Sequence, residues 1–139
     1  MPLILVTGSR TWTDWAKVRT VLVGLRHLRQ GEPVTIRHGR ARGLDTIAAR
    51  IAKQLGYALD KPPVPGDKRD PYQLGGYPIY REDWVQYGWG AGPRRNGIML
   101  HANDQLPDLV LAWHLNNSPG TLDMLTQAGD AGVSCEVYG

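Results

Sequence analysis

The sequence predicts an α/β fold: a single Rossmann-like, three-layer domain with a parallel β-sheet of about five strands and helices on both faces. Three observations carry this expectation. Short continuous apolar runs, Leu3-Ile4-Leu5-Val6 and Leu109-Val110-Leu111-Ala112-Trp113, read as strands covered on both faces. Stripes at helical spacing lie between such runs, the clearest being Leu44, Ile47, Ala48, Ile51, Ala52 and Leu55. Strands and helices alternate along the chain, and right-handed crossovers convert that alternation into a parallel sheet.

Each element follows from local signals. The run at 3–6 ends in the turn Thr7-Gly8. Asp14 reads as an N-cap or first-turn acid for the stripe Val18, Val21, Leu22, Leu25 and Leu28, which Gly31 ends. Val34-Thr35-Ile36 is the second strand, closed by His38-Gly39, and Gly56 stops the helix over 44–55. A third, weaker strand falls near 57–60. Residues 61–83 then break the rhythm with Pro62, Pro63, Pro65, Pro71 and Pro78 and three glycines, which predicts a loop excursion. A loop longer than about fifteen residues in a compact domain is either functional or disordered; Tyr72, Tyr77 and Tyr80 point to an ordered one. Pro93 sits where the first residue of a helix over 94–102 belongs. Ser118-Pro119 opens a last helix through Leu122, Leu125 and Ala128, and residues 133–138 form a terminal strand.

Composition excludes several classes. A chain of 139 residues is long enough to bury roughly two thirds of its unfolded surface without staples. The single Cys135 rules out an internal disulfide, and no Cys/His spacing suits zinc, so no metal site is expected. No apolar run reaches the ~20 residues of a membrane span, and the start of the chain lacks a basic leader, which leaves a reduced cytoplasm as the default setting. Sixteen basic residues against thirteen acidic ones give only +3, but twelve of the sixteen are arginine, the side chain that grips phosphate and carboxylate bidentately. Arg-, Gly- and Trp-rich composition without phenylalanine also fits GC-rich codon usage, so position matters more than number.

Open parallel sheets bind ligands beyond the carboxyl ends of their strands. Four segments fall there: 7–12, 38–45, 90–96 and 116–121. In the first, Gly8 lets the backbone approach a ligand, and Ser9 and Arg10 offer a hydroxyl and a guanidinium. The second, from His38 and Gly39 through Arg40, Ala41, Arg42 and Gly43 to Asp45, precedes a helix whose N-terminus favours anions. Asp45 carries two readings, helix N-cap and acceptor for a ribose hydroxyl; His38 reads as a packed strand-end histidine before it reads as a ligand contact. The third, Gly92-Pro93-Arg94-Arg95-Asn96, sets two arginines against a helix dipole, a cost that a bound anion offsets. The fourth, Ser118-Pro119-Gly120-Thr121, has the form of a phosphate cradle, although neither the dinucleotide fingerprint nor the P-loop is present, and no cofactor is expected. Together they bring Arg10, Arg40, Arg42, Arg94 and Arg95 to one predicted rim. His114, at the end of a strand, is a further candidate for reaching it.

In order and spacing these segments resemble a known family. Thr7-Gly8-Ser9-Arg10-x-Trp12-x-Asp14, His38-Gly39-x-Ala41-x-Gly43-x-Asp45-x-x-Ala48, Trp84-x-x-Tyr87-Gly88, Ala91-Gly92-Pro93-x-Arg95-Asn96-x-x-Met99 and Ser118-x-Gly120-Thr121-x-Asp123-Met124 are similar to the YspA-like branch of the SLOG superfamily. The resemblance implies a pocket for a nucleotide or nucleotide-derived ligand, kinship with LOG-type phosphoribohydrolases and with DprA, and an origin among actinobacteria and their phages. SLOG relatives often dimerise, so a homo-oligomer is one expectation. LOG enzymes carry Pro-Gly-Gly-x-Gly-Thr-x-x-Glu and an upstream catalytic arginine. Arg95 matches the arginine and Gly120-Thr121 the Gly-Thr, but the glutamate position falls on Met124, whose thioether cannot serve an oxocarbenium ion. Asp123 is adjacent, and one helical residue is a turn of ~100°, so it is expected to point elsewhere.

Three functions follow. The first is a module that binds a nucleotide-derived small molecule through Gly8, Ser9, Arg10, His38, Gly39, Arg42, Gly43, Asp45, Gly92, Arg94, Arg95, Asn96, Ser118, Gly120 and Thr121. The second is an N-glycosidic enzyme, phosphoribohydrolase or nucleoside deoxyribosyltransferase-like, acting on nucleosides or nucleoside monophosphates, with Arg95, Asp123 and Asp45 as candidate catalytic residues. The third is single-stranded nucleic-acid binding, with Trp12, Trp15, Trp84 and Trp89 exposed for stacking; the small net charge and the clustering of arginines disfavour it.

Overall fold

The computed structural model describes residues 2–28, 31–115 and 117–139. Five parallel strands run in the order β3-β2-β1-β4-β5: β1 (Leu3–Gly8), β2 (Thr35–Arg37), β3 (Ala58–Leu59), β4 (Leu109–Trp113) and β5 (Cys135–Tyr138). The chain builds outwards from β1 to β3, then crosses back to place β4 on the other side of β1. β1 and β4 are therefore hydrogen-bonded neighbours, in register from Ile4 opposite Leu109 to Gly8 opposite Trp113, and their onward connections leave in opposite directions. That is the switch point of the sheet.

Helices cover both faces because successive residues of a buried strand point to opposite sides. α1 (Trp15–Leu28) and α2 (Leu44–Gln54) pack on Ile4, Val6, Ile36, Leu111 and Trp113. α4 (Ala91–Leu100) and α5 (Pro119–Asp130) pack on Leu5 and Val110 through Met99, Leu100, Met124 and Ala128. Asp14 is the N-cap of α1, its Oδ1 accepting from Lys17 N at 3.1 Å. Trp12 is 3% exposed, contrary to its expected role as a surface stacker; its Nε1 donates to Asp14 O. Trp113, fully buried, stacks on Tyr138 and so ties the edge strand β5 to β4. Among the described residues no helix is long and apolar enough to cross a membrane.

Two features escaped the periodicity. Arg37, between Ile36 and His38 at the end of β2, is 0% exposed; its Nε donates to Asp60 at 2.7 Å, and Nη1 donates to the Met99, Leu100 and Gln105 carbonyls. It satisfies the carbonyl end of α4, where a cation also suits the helix dipole. The second is α3 (Arg81–Tyr87), which begins inside the expected excursion; Asp83 accepts from Tyr80 N at 2.8 Å to start it. A 3₁₀ turn at Gly88–Gly90 leads from α3 directly into α4. Pro93 is thus the third residue of its helix rather than the first, and α4 ends at Leu100, two residues short of the expected span.

The excursion folds back on the domain. Asp70, 1% exposed, accepts from Leu74 N and Gly75 N, both at 2.8 Å, and pairs with Arg40 at 2.9 Å. Gly76 N donates to Lys61 O and Tyr77 N to His38 O, stitching the returning chain to the end of β2. Gly76 adopts φ +82°, and a side chain there would also strike the His38 ring.

Candidate functional site

A cleft of ≈ 620 Å³ opens at the switch point. Its floor is the end of β1, Thr7 to Ser9, which the Ser9 hydroxyl ties to the β4 side by accepting from Leu115 N at 2.6 Å. One wall is the first turn of α5, with Ser118, Pro119, Gly120 and Thr121; helix N–H groups at such an end lack intrahelical acceptors. The opposite wall carries Asp45, from the start of α2, and Arg95, from α4. Trp84 and Trp89 stand at the mouth, Trp89 with 96% of its surface exposed.

Asp45 is not the N-cap of α2; that residue is Gly43, at φ +75° and packed against the Ser9 and Arg10 backbone. Asp45 instead turns to the preceding loop, and its Oδ2 accepts from Gly39 N at 3.2 Å and Ala41 N at 3.3 Å. Burial pushes its carboxyl up to about 6, against the opposing pull of Arg95, these two N–H groups and Arg10. Arg95 is held by its own donors: Nη1 to Gly39 O at 3.0 Å and to Tyr77 O at 3.1 Å, and Nε to Asn96 Oδ1 at 3.2 Å. Burial lowers its pKa from the usual value, and the charge of Asp45 works in the other direction.

A second network closes the α4–α5 corner. Asn96, 2% exposed, donates through Nδ2 to Gly120 O at 3.1 Å and to Asp123 Oδ2 at 2.9 Å. Gln127 Nε2 donates to the same oxygen at 2.8 Å. Asp123 therefore borders the cleft, which corrects the expectation that it points elsewhere. The ~100° between neighbouring helix positions works the other way here. Met124 is the residue turned from the cleft, fully buried against the sheet with Leu5 and Val110. The carboxylate of this helix sits one position earlier than the LOG pattern has it.

Of the other expected contacts, Gly8, Ser9, Arg10, Gly92, Asn96, Ser118, Gly120 and Thr121 border the cleft. Gly39 and Arg42 line a smaller compartment of ≈ 260 Å³ that adjoins it and shares Arg10, Arg95 and Trp84. Three expected contacts lie apart. His38 is 1% exposed behind the loop, its Nε2 bonded to Leu74 O and its Nδ1 accepting from Arg40 N. Burial lowers it to about 4, so it is neutral, a packed strand-end histidine after all. Gly43 serves the turn rather than the cavity. Arg94 faces outward over the Tyr87 ring, at 4.3 Å from its centroid; being adjacent to Arg95 on a helix sends it round the axis. Gly8 is required by packing as much as by any ligand, since a Cβ there would strike Leu44 and Trp113 O. His114 does not border the cleft. Asn116, first residue of the fourth expected segment, lies outside the described residues.

Sequence reasoning missed Ile79 and Leu115 as lining residues, and no local signal marks them. It also missed that the excursion supports the site through Asp70 and Arg40; five prolines announced a loop but not its contacts.

A parallel Rossmann-like sheet with a cation-lined cleft at its switch point defines a broad class of ligand-binding α/β domains. The family described as YspA, cpYpsA-related SLOG matches residues 2–61. The Gene 61 protein of Mycobacterium phage D29 is 32% identical over 142 aligned residues, covering 100% of this chain and 98% of that protein. The chain belongs to the YspA, cpYpsA-related SLOG family. Its fold is shared with DNA processing protein A (DprA) from Streptococcus pneumoniae, at TM-score 0.67 and 24% identity over 99% of this chain; the chain spans 50% of that structure. The Moco carrier protein from Chlamydomonas reinhardtii is similar at TM-score 0.52 and 20% identity, covering 99% of this chain and 76% of that one.

Proposed function

We propose that the cleft binds a nucleotide or nucleotide-derived small molecule. One observation carries this reading: a single cavity joins an anion-binding interior, made by Arg10, Arg95 and the first turn of α5, to a mouth bordered by two tryptophans. Phosphate suits guanidinium groups and helix N–H donors, and a planar base suits a tryptophan face. Between them, the carboxylates of Asp45 and Asp123 border the cleft and suit sugar hydroxyls. A cavity of ≈ 620 Å³ lies within the range usual for small-ligand sites. The Moco carrier protein, by its name, also holds a small molecule on this fold.

A second reading is N-glycosidic cleavage, favoured by a buried carboxyl on the cleft raised to about 6. Such an acid can deliver a proton to a departing base while water adds at the sugar carbon. DprA is named for DNA processing; here the arginines surround a cavity rather than a strand-length groove, so a nucleic-acid strand is the weaker fit.

Mass spectrometry of small molecules released from the purified, denatured protein tests the first reading. A stoichiometric phosphorylated heteroaromatic compound is the expected result. No such compound, together with no heat of binding from any nucleoside monophosphate, would remove it. Free base appearing on incubation with nucleoside monophosphates would move the assignment to the second reading.

A further inference from the structure

The smaller compartment beside the cleft is lined by four arginines, Arg10, Arg40, Arg42 and Arg95, and by no carboxylate. Two carboxylates touch its walls from behind, Asp70 on Arg40 and Asp45 on the loop that carries Gly39, so the compartment retains a surplus of two positive charges. A surplus of that size, around ≈ 260 Å³, matches a phosphomonoester dianion.

The compartment is a built structure. Arg40 adopts φ +50°, a conformation that a non-glycine residue holds only when its surroundings enforce it, and such strain concentrates at functional sites. The enforcement is visible. Arg40 N donates to His38 Nδ1 at 3.0 Å; its Nη1 donates to Gly75 O at 3.2 Å beside the Asp70 pair, and its Nη2 donates to the Tyr80 hydroxyl at 3.2 Å. Three of these partners belong to the excursion, which thereby fixes one wall of the compartment. Arg10 and Arg42 make no ion pair among the described residues.

We propose that this compartment is a second anion subsite, and that the ligand carries a second phosphoryl group beyond the one held in the main cleft. The two cavities share Arg10, Ala41, Ile79, Trp84 and Arg95, so one molecule can span them. This rests on the nucleotide reading of the main cleft and narrows it to nucleotides with two phosphoryl groups, whether joined as a diphosphate or set apart on the sugar.

Calorimetric titration of AMP, ADP, adenosine 3′,5′-bisphosphate and inorganic pyrophosphate into the intact protein and into Arg42→Ala tests this. Arg42 is exposed and borders only the smaller compartment, so an unchanged melting temperature accompanies the substitution. The expected result is at least about tenfold tighter binding of one doubly phosphorylated nucleotide than of AMP, a ratio that collapses in Arg42→Ala. Whether ADP or the 3′,5′-bisphosphate shows the gain tells where the second phosphoryl lies. If AMP binds and neither doubly phosphorylated nucleotide binds better, the subsite is overturned while the nucleotide reading stands. An unchanged ratio in Arg42→Ala overturns it equally. If nucleotides fail but pyrophosphate binds in an Arg42-dependent way, the subsite stands and the nucleotide reading falls. If nothing binds, both fall.

Discussion

Asp45 and Arg95 close on Gly39 from two sides: a Cβ at that glycine would lie 3.0 Å from Asp45 Oδ2 and would overlap the Arg95 guanidinium. Only hydrogen fits between the buried Asp45 carboxyl and the Arg95 guanidinium. Gly39→Ala should therefore displace Arg95 from the Gly39 and Tyr77 carbonyls, with an overpacking cost of about 1–3 kcal/mol. Denaturant unfolding and AMP titration together check this. A variant with parental stability and affinity would mean that the loop opens freely and that this geometry is not held.

The pH dependence of stability involves two opposed groups. Asp45 is raised to about 6 in the fold, so protonation favours the folded state; its contribution is complete below about 4 and is lost as pH rises through 6. His38 is lowered to about 4, so its contribution is complete above about 6.5 and is lost as pH falls through 4. Asp70 is lowered: burial raises it, but the Leu74 and Gly75 N–H groups and Arg40 outweigh that, so it acts below this window. Between pH 4 and 6.5 the first two nearly cancel. Asp45→Asn should unmask His38 and lose up to about 3 kcal/mol across that window. Urea midpoints at a series of pH values give the comparison; parallel profiles for parent and variant would contradict it.

The nucleotide reading gives Trp89 a part in binding and none in folding. At 96% exposure its truncation to alanine should leave the melting temperature unchanged. Loss of a stacked base should weaken AMP binding by about tenfold and leave ribose 5-phosphate unaffected. Equal losses for both ligands would place Trp89 outside base contact.

The excursion is tied to the site by Asp70. Asp70→Asn removes the charge partner of a largely buried Arg40 and turns one of the two oxygens that accept from Leu74 N and Gly75 N into an NH2 donor, so a loss of about 3–5 kcal/mol is expected on urea unfolding. A loss below about 1 kcal/mol would show the excursion to be a passive insertion.

The sheet, its helices and the position of the cleft were legible because buried parallel strands and amphipathic stripes write their periodicity into the chain. The loops that border the two cavities were legible from Gly39, Arg95 and Gly120-Thr121. What was not legible depended on orientation about an axis or on contacts distant in sequence. Arg94 and Arg95 are indistinguishable in the sequence, yet only one enters the cleft. Asp123 and Met124 exchange the faces that the motif alignment assigned them. Arg37 reads as an interruption of a short strand, and its five acceptors come from Asp60, just past β3, and from the carbonyls of Met99, Leu100, Ala102 and Gln105 at and beyond the end of α4, which no window of sequence brings together. Trp12 and Trp89 look alike as residues beside glycine- and polar-rich loops; burial at 3% and 96% separates them.

A nucleotide in the cleft would lie against the first turn of α5. Gly120 offers the most direct test, because a Cβ there meets nothing within 4 Å and a branched side chain would project into open cavity without disturbing the core. Calorimetric titration of AMP into the parent protein and into Gly120→Val should show saturable binding by the parent and at least about tenfold weaker binding by the variant, with both melting at the same temperature. Equal affinity in the two proteins, or no binding by the parent to any nucleoside phosphate, would contradict it.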